Sequence, residues 1–204
     1  ADQQLEFAHR YILGVYQLYA RLTTAYPNVL FESCASGGGR FDLGMMYYAP
    51  QAWASDDTDA IERIKIQDGT SYGYTQNMWG AHVSAVPNDQ VARVTSIDTR
   101  AKVAYFGDFG YELDITKLSA TEQATIKEQV AFYKQHRALF QFGTFYRLET
   151  PDTSANVYGW EVVNDDQTEA IGARFPILNE ANPGYIRYYF KGLAPEKTYQ
   201  VNDD

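Results

Sequence analysis

A change of texture near residue 142 constrains the fold more than any other feature of the sequence. Before it, helical and strand-like patterns alternate; after it, only strand-like runs recur. Over residues 3–25, Leu5, Ala8, Tyr11, Ile12, Val15, Leu18, Tyr19 and Leu22 follow i, i+3, i+4, i+7 spacing. That spacing predicts an amphipathic helix, which Pro27 closes. Val29-Leu30-Phe31 is short and wholly apolar, and predicts a buried strand. Ala52-Trp53-Ala54 reads as a second strand and helical pattern resumes over 58–65. Further strands are expected within 72–86 and 105–113. Ser119 and Glu122 stand at capping-box spacing before a helix that presents Ile126, Val130 and Tyr133 on one face. Such alternation predicts an α/β fold, a parallel sheet with helical crossovers. Beyond it, the β-rich runs 157–163, 169–175 and 185–190 are separated by turn signals such as Asn164-Asp165-Asp166. They predict a small antiparallel β unit. The expected division is therefore 1–142 and 143–204.

Composition excludes several partners. The 204 residues include 17 basic and 26 acidic side chains, a net charge of −9. Nucleic-acid binding needs clustered Lys and Arg to displace counterions, so no nucleic-acid partner is expected. No apolar run approaches the roughly 18 residues of a membrane span, and no basic-plus-apolar leader opens the chain. No membrane partner is expected either. The single cysteine permits no internal disulfide and fits a reducing compartment. The first residues are Ala-Asp-Gln-Gln rather than Met, which suggests a piece of a longer protein.

The stretch FESCASGGGRFD, residues 31–42, follows a strand with three consecutive glycines. A phosphate cradle would need G-x-G-x-x-G or a following Gly-Lys-Ser/Thr, and neither occurs. Two readings stay open. Gly37-Gly38-Gly39 either makes a turn that requires positive φ, or lets main chain approach a neutral polar ligand, with Cys34, Arg40 and Asp42 around its rim.

Ser55-Asp56-Asp57-Thr58-Asp59 stands where an apolar strand gives way to a helix, with Arg63 one turn further on. Acidic residues at a helix start serve as caps, but three in four positions exceed what a cap needs. In α/β sheets and barrels the C-terminal strand ends are where ligands bind. A carboxyl there, partly desolvated by Trp53, is suited to general acid work. His82 reads first as a hydrogen-bonded structural residue and second as a catalyst. His9 and His136 lie on helices, and no grouping of three metal ligands is visible, so no metal site is expected. Ser33, Ser36 and Ser55 lack the G-x-S-x-G elbow of a serine hydrolase. The 17 tyrosines and 3 tryptophans would suit stacking on sugar faces as well as core packing.

Taken together and in order, CASGGGRFD, WASDDTDAIERIKIQ, MWGAHVSAVPN and GDFGYELDITKLS resemble glycoside hydrolase family 36, the bacterial-type α-galactosidases. The likeness runs from about residue 5 to the end. It implies about the last four strand-helix units of a (β/α)8 TIM barrel, then a small antiparallel β-sandwich domain. It implies retaining hydrolysis of terminal α-linked galactose from melibiose- and raffinose-type oligosaccharides, without a cofactor. By motif, the acid/base maps to Asp56, with Asp57 the second choice, and Cys34 and Gly37 map to the galactose pocket. Trp53 and Arg63 follow as pocket wall and charge partner. A bacterial cytoplasmic location and homo-oligomerisation at full length are expected on the same ground. The family's nucleophile is the aspartate of a Lys-Trp-Asp motif, and that motif does not occur here. A retaining mechanism needs both carboxyls, roughly 5 Å apart. The chain is therefore expected to need the N-terminal part of the same enzyme as its partner, and to be inactive alone. Galactosyl transfer, α-N-acetylgalactosaminide hydrolysis and a non-catalytic sugar-binding or assembly module are the alternatives. The stretch Tyr74-Thr75-Gln76-Asn77 departs from the family's usual apolar sequence.

Overall fold

The structure, a computed structural model, describes residues 3–149 and 156–202, apart from the side chain of Leu5. The chain divides into two units, Ala1–Asp56 with Met78–Gly80, and Asp57–Asn77 with Ala81–Asp204. The expected boundary at 142/143 falls inside the second.

In the first unit, α1 (Gln4–Ala25) leads to β1 (Glu32–Ser33), α2 (Leu43–Tyr48) and β2 (Gln51–Ala52). β1 and β2 pair in parallel, Glu32 opposite Gln51 and Ser33 opposite Ala52. Ala52 also bridges in parallel to Trp79. A parallel arrangement was the expected one, but the first strand lies later than the sequence predicts. Val29 and Leu30 are exposed, Leu30 to 88%. β1 hydrogen-bonds to β2 alone among the described strands, so no described strand on its other edge covers these side chains. α2 starts where it does because Asp42 caps it, accepting from the Met45 amide at 2.9 Å. Met45, Met46, Ala49, Ala52 and Trp79 are buried here, whereas none of the described side chains of α1 is.

The second unit begins with α3 (Ala60–Thr70) and a 3-10 turn, Gln76–Met78. β3 (Gly80–Ser84) pairs with β4 (Asp108–Glu112), and α4 (Ile97–Ala104) connects them. α5 (Ala120–Phe142) has the predicted capping box: the Ser119 side chain accepts from the Glu122 amide, and the Glu122 carboxylate accepts from the Ser119 amide at 2.9 Å. Three antiparallel strands follow, β5 (Thr144–Glu149), β6 (Val157–Val163) and β7 (Ala170–Pro176), in that order. β6 is central and buried along its whole length.

Aromatic side chains hold α5 and this sheet in one core. Phe106 lies 5.3 Å from Phe140 of α5 and 5.4 Å from Trp160 of β6, and Trp160 lies 5.0 Å from Phe175. Edge-to-face packing of this kind adds to the burial of large apolar area. The Trp160 indole finds its partner in the buried Asp68 of α3, at 3.0 Å.

Two expectations for the C-terminal region are corrected. β5 is a strand that sequence patterning missed, and 185–190 is not one. The latter segment is instead tied to the sheet through side chains. Tyr188 Oη donates to the Trp160 carbonyl at 2.8 Å, the Lys191 amide donates to Glu161 Oε2 at 3.0 Å, and Lys191 Nζ donates to the Arg147 carbonyl at 3.2 Å. Among the described residues there is one sheet of three strands here, without the second sheet a sandwich requires.

Candidate active site

The glycine stretch closes on itself directly after β1. The Ala35 amide donates to the Gly37 carbonyl at 3.0 Å, the Gly39 amide to the Ala35 carbonyl at 3.2 Å, and the Phe41 amide to the Gly38 carbonyl at 3.0 Å. Ser36 and Gly37 have φ of 48° and 74°, the left-handed region that favours glycine. The turn reading is therefore right. What comes close to the bare backbone is protein main chain. A Cβ at Gly37 would stand 2.8 Å from Ser55 Cα and 2.9 Å from the Asp56 amide nitrogen, and one at Gly38 would stand 2.7 Å from the Ala54 carbonyl oxygen. Bare backbone of the glycine loop thus lies flush on the segment that carries Asp56.

The proposed rim residues separate. Cys34 is exposed. Arg40 braces the loop from inside, donating to the Cys34 carbonyl at 2.9 Å and to Tyr11 Oη at 3.3 Å. Asp42 is not a rim group: it caps α2 and accepts from Tyr16 Oη at 2.6 Å, a bond that raises the Tyr16 pKa. Trp53 continues from β2, its amide donating to the Ser33 carbonyl at 2.9 Å. Its ring lies so close to Gly80 that a Cβ there would stand 2.8 Å from Trp53 Cε3.

The three acids divide their roles. Asp59 is buried and is the N-cap of α3, accepting from the Ile61 and Glu62 amides at 3.0 and 3.1 Å and pairing with Arg93. Asp57 Oδ1 accepts from the Asp59 amide at 3.0 Å, which shapes the entry to the helix. The same stretch is pinned through Thr58, whose carbonyl accepts from Ser84 Oγ at 2.9 Å and whose hydroxyl accepts from Asn88 Nδ2 at 3.1 Å. Asp56 is exposed, not walled in as the expectation of desolvation by Trp53 would have it. The Asp59-x-x-Glu62 spacing was a legible cap signal; Arg93, more than thirty positions on, gave none.

Arg63 is buried on α3. Burial draws its pKa down to about 10, against the attraction of Glu112 and Asp57, so the guanidinium is charged at neutral pH. Its charge partners are thus Glu112 and Asp57; the sequence reading made Arg63 a charge partner without naming either. His82 on β3 has Nδ1 3.6 Å from Glu112 Oε2, and its ring fills the space over Gly110 on β4. His136 lies 2.7 Å from Glu169 and against the Phe132 ring, a structural placement. No group of three metal-ligating side chains occurs among the described residues. The atypical Tyr74–Asn77 stretch serves the architecture, since buried Gln76 donates to the Gly143 carbonyl at 2.9 Å, at the junction of α5 and β5. Thr75 and Asn77 line an open groove of about 460 Å³ there with Ser71, Gln141 and Arg147.

Comparison with known proteins agrees with these motifs. Residues 1–143 match the Melibiase family model, and residues 157–204 match that of the glycosyl hydrolase family 36 C-terminal domain. The chain is 54% identical over 200 residues to α-galactosidase AgaA of Geobacillus stearothermophilus, covering 98% of this chain and 27% of that protein. It is 51% identical to α-galactosidase 1 of Pediococcus pentosaceus, with the same coverage of each. The crystal structure of the α-galactosidase from Lactobacillus brevis superposes with a TM-score of 0.95 at 70% identity, over 100% of this chain and 28% of that one. A variant of AgaA in complex with raffinose superposes with a TM-score of 0.90 at 54% identity, over 95% of this chain and 27% of that one. The chain thus spans about a quarter of the length of the relatives it matches. Two family models in tandem, over sequence that carries the glycine loop and its acidic neighbour, lead to one conclusion: the chain belongs to glycoside hydrolase family 36.

Proposed function

We propose that this chain is the C-terminal part of a retaining α-galactosidase. In this reading 1–142 supply about the last four strand-helix units of a (β/α)8 barrel, and 143–204 supply the C-terminal β domain. The parallel pairing of β1 with β2 and the parallel bridge from Ala52 to Trp79 support a barrel wall read in chain order. Asp56 is the acid/base. It protonates the departing glycosidic oxygen, then takes a proton from the water that releases galactose. One observation carries this assignment: Asp56 is the exposed acid of the three and lies on the segment against which the glycine loop packs, whereas Asp57 is half-buried and Asp59 is buried as the cap of α3.

Cys34 and Gly37 contribute sugar contacts from that loop, Trp53 a wall, and Arg63 a buried charge that holds Asp57. The attacking carboxylate comes from elsewhere, since Lys-Trp-Asp does not occur in the chain. The N-terminal part of the same enzyme is therefore the required partner. The relatives are named α-galactosidases, and members of the family have been crystallised with raffinose and with stachyose. Terminal α-galactose of that class of oligosaccharide is the proposed substrate.

The test is Asp56→Ala in the full-length enzyme. Losing a general acid should cost about 10²- to 10⁴-fold on raffinose, whose leaving group needs a proton. Attack on an activated aryl α-galactoside, whose leaving group does not, should be spared, and azide should accelerate its turnover. Equal loss on both substrates would move the acid role to Asp57.

A further inference from the structure

We infer that Gly37 and Gly38 are positioning residues for Asp56: their missing side chains let the glycine loop seat against main chain at Ala54–Asp56 and so fix where the acid points. This rests on the reading of Asp56 as the acid/base. The inference starts from contacts that a sugar pocket does not require. A glycine kept only to receive a ligand leaves open space where its Cβ would be, whereas here both spaces are filled. Ser55 Cα and the Asp56 amide nitrogen occupy the space at Gly37, and the Ala54 carbonyl oxygen occupies that at Gly38. Each contact would be 2.9 Å or shorter, closer than real Cβ atoms approach, and each is with backbone that cannot rotate away.

Gly39 differs in a useful way. A Cβ there would meet the Ala35 carbonyl at 2.5 Å, inside the glycine loop itself. Gly39 therefore shapes the loop, and Gly37 and Gly38 seat it. Arg40 ties the loop to itself at the Cys34 carbonyl and to Tyr11 of α1, so the loop resists displacement as a unit and the 54–56 segment shares the strain. General acid work depends on placing the proton within hydrogen-bond reach of one oxygen, and a shift of about 1 Å can cost about 100-fold in rate.

Gly37→Ala, Gly38→Ala, Gly39→Ala and Asp56→Ala, each in the full-length enzyme, separate the possibilities. The expected result for Gly37→Ala is a drop in kcat of about 100-fold on raffinose, little change in the attack step on an activated aryl α-galactoside, and partial rescue by azide. Gly38→Ala should show the same pattern more weakly, and it stands in for Gly37→Ala if that variant does not fold. Gly39→Ala should lower thermal stability without any dependence on the leaving group. Three results overturn the inference: a rise in KM shared by both substrates, which makes Gly37 a sugar contact only; uniform loss of both rates; or leaving-group dependence equal in Gly39→Ala. If Asp56→Ala itself shows no leaving-group dependence, the acid assignment fails. If Asp56→Ala shows it and Gly37→Ala and Gly38→Ala do not, the positioning role alone fails.

Discussion

At the scale of single residues, three aspartates within four positions have three different fates, and burial separates them: Asp56 is exposed, Asp57 half-buried and Asp59 buried. Asp59 is buried, caps α3 and pairs with Arg93. Its replacement by Ala frees two helix amides and leaves Arg93 only its longer pair with Glu62, which should cost about 1–3 kcal/mol. Chemical denaturation should read this as a lower midpoint at unchanged slope. Asp56→Ala removes an exposed carboxyl and should change stability by less than about 0.5 kcal/mol. A stability loss at Asp56 matching that at Asp59 would mean the roles have been exchanged. Sequence showed that this cluster mattered and that one member was a cap. It did not separate Asp56 from Asp57, because that depends on which of the two the fold leaves exposed. The glycine loop was legible in the same partial way: its need for bare backbone is local, but the segment filling the bare space is some eighteen positions away.

Elements show where local chemistry suffices. The α5 capping box and β6 were readable because a Ser-x-x-Glu start and an apolar run between turn signals carry their own instructions. β5 alternates weakly and was missed. The segment 185–190 has strand-like composition, yet its Tyr188 serves as a tie to a sheet already built. That attachment has a pH signature. Glu161 is fully buried on β6; Oε2 accepts from the Lys191 amide while Oε1 has no hydrogen-bond partner. Lys191 and Tyr188 face it from the attached segment, and Tyr146 stands opposite it on β5. Burial raises its pKa from about 4.5 to about 7. A carboxyl raised on folding holds its proton more tightly in the folded state, so stability is greatest below the unfolded pKa and is lost as pH rises through the folded one. Glu161→Gln should therefore be more stable than the parent at pH 8, by on the order of 3 kcal/mol at most, with the gap closing by about pH 4.5. Thermal melts across that range check it, and a pH-independent gap would contradict the titration.

On the scale of the whole molecule, the apolar surface is the informative quantity. Phe7, Leu13 and Leu18 of α1 are exposed, as are Val29 and Leu30 before β1. A helix of 22 residues without buried side chains among those described gains little from packing, and a strand with an open edge invites pairing. Amides of α1 should exchange quickly in the isolated chain, those of β6 slowly, and addition of the N-terminal part should slow α1. Protection of α1 equal to that of β6 without any partner would argue that this helix needs no barrel around it.

In the proposed function this chain brings the acid/base, and another part of the enzyme the nucleophile, to one galactose. The most direct test of that function is raffinose hydrolysis by this chain mixed with the separately produced N-terminal part. No turnover is expected from either alone, turnover on mixing, and loss of that turnover when this chain carries Asp56→Ala. Hydrolysis by this chain alone, or a mixture indifferent to Asp56→Ala, would contradict it.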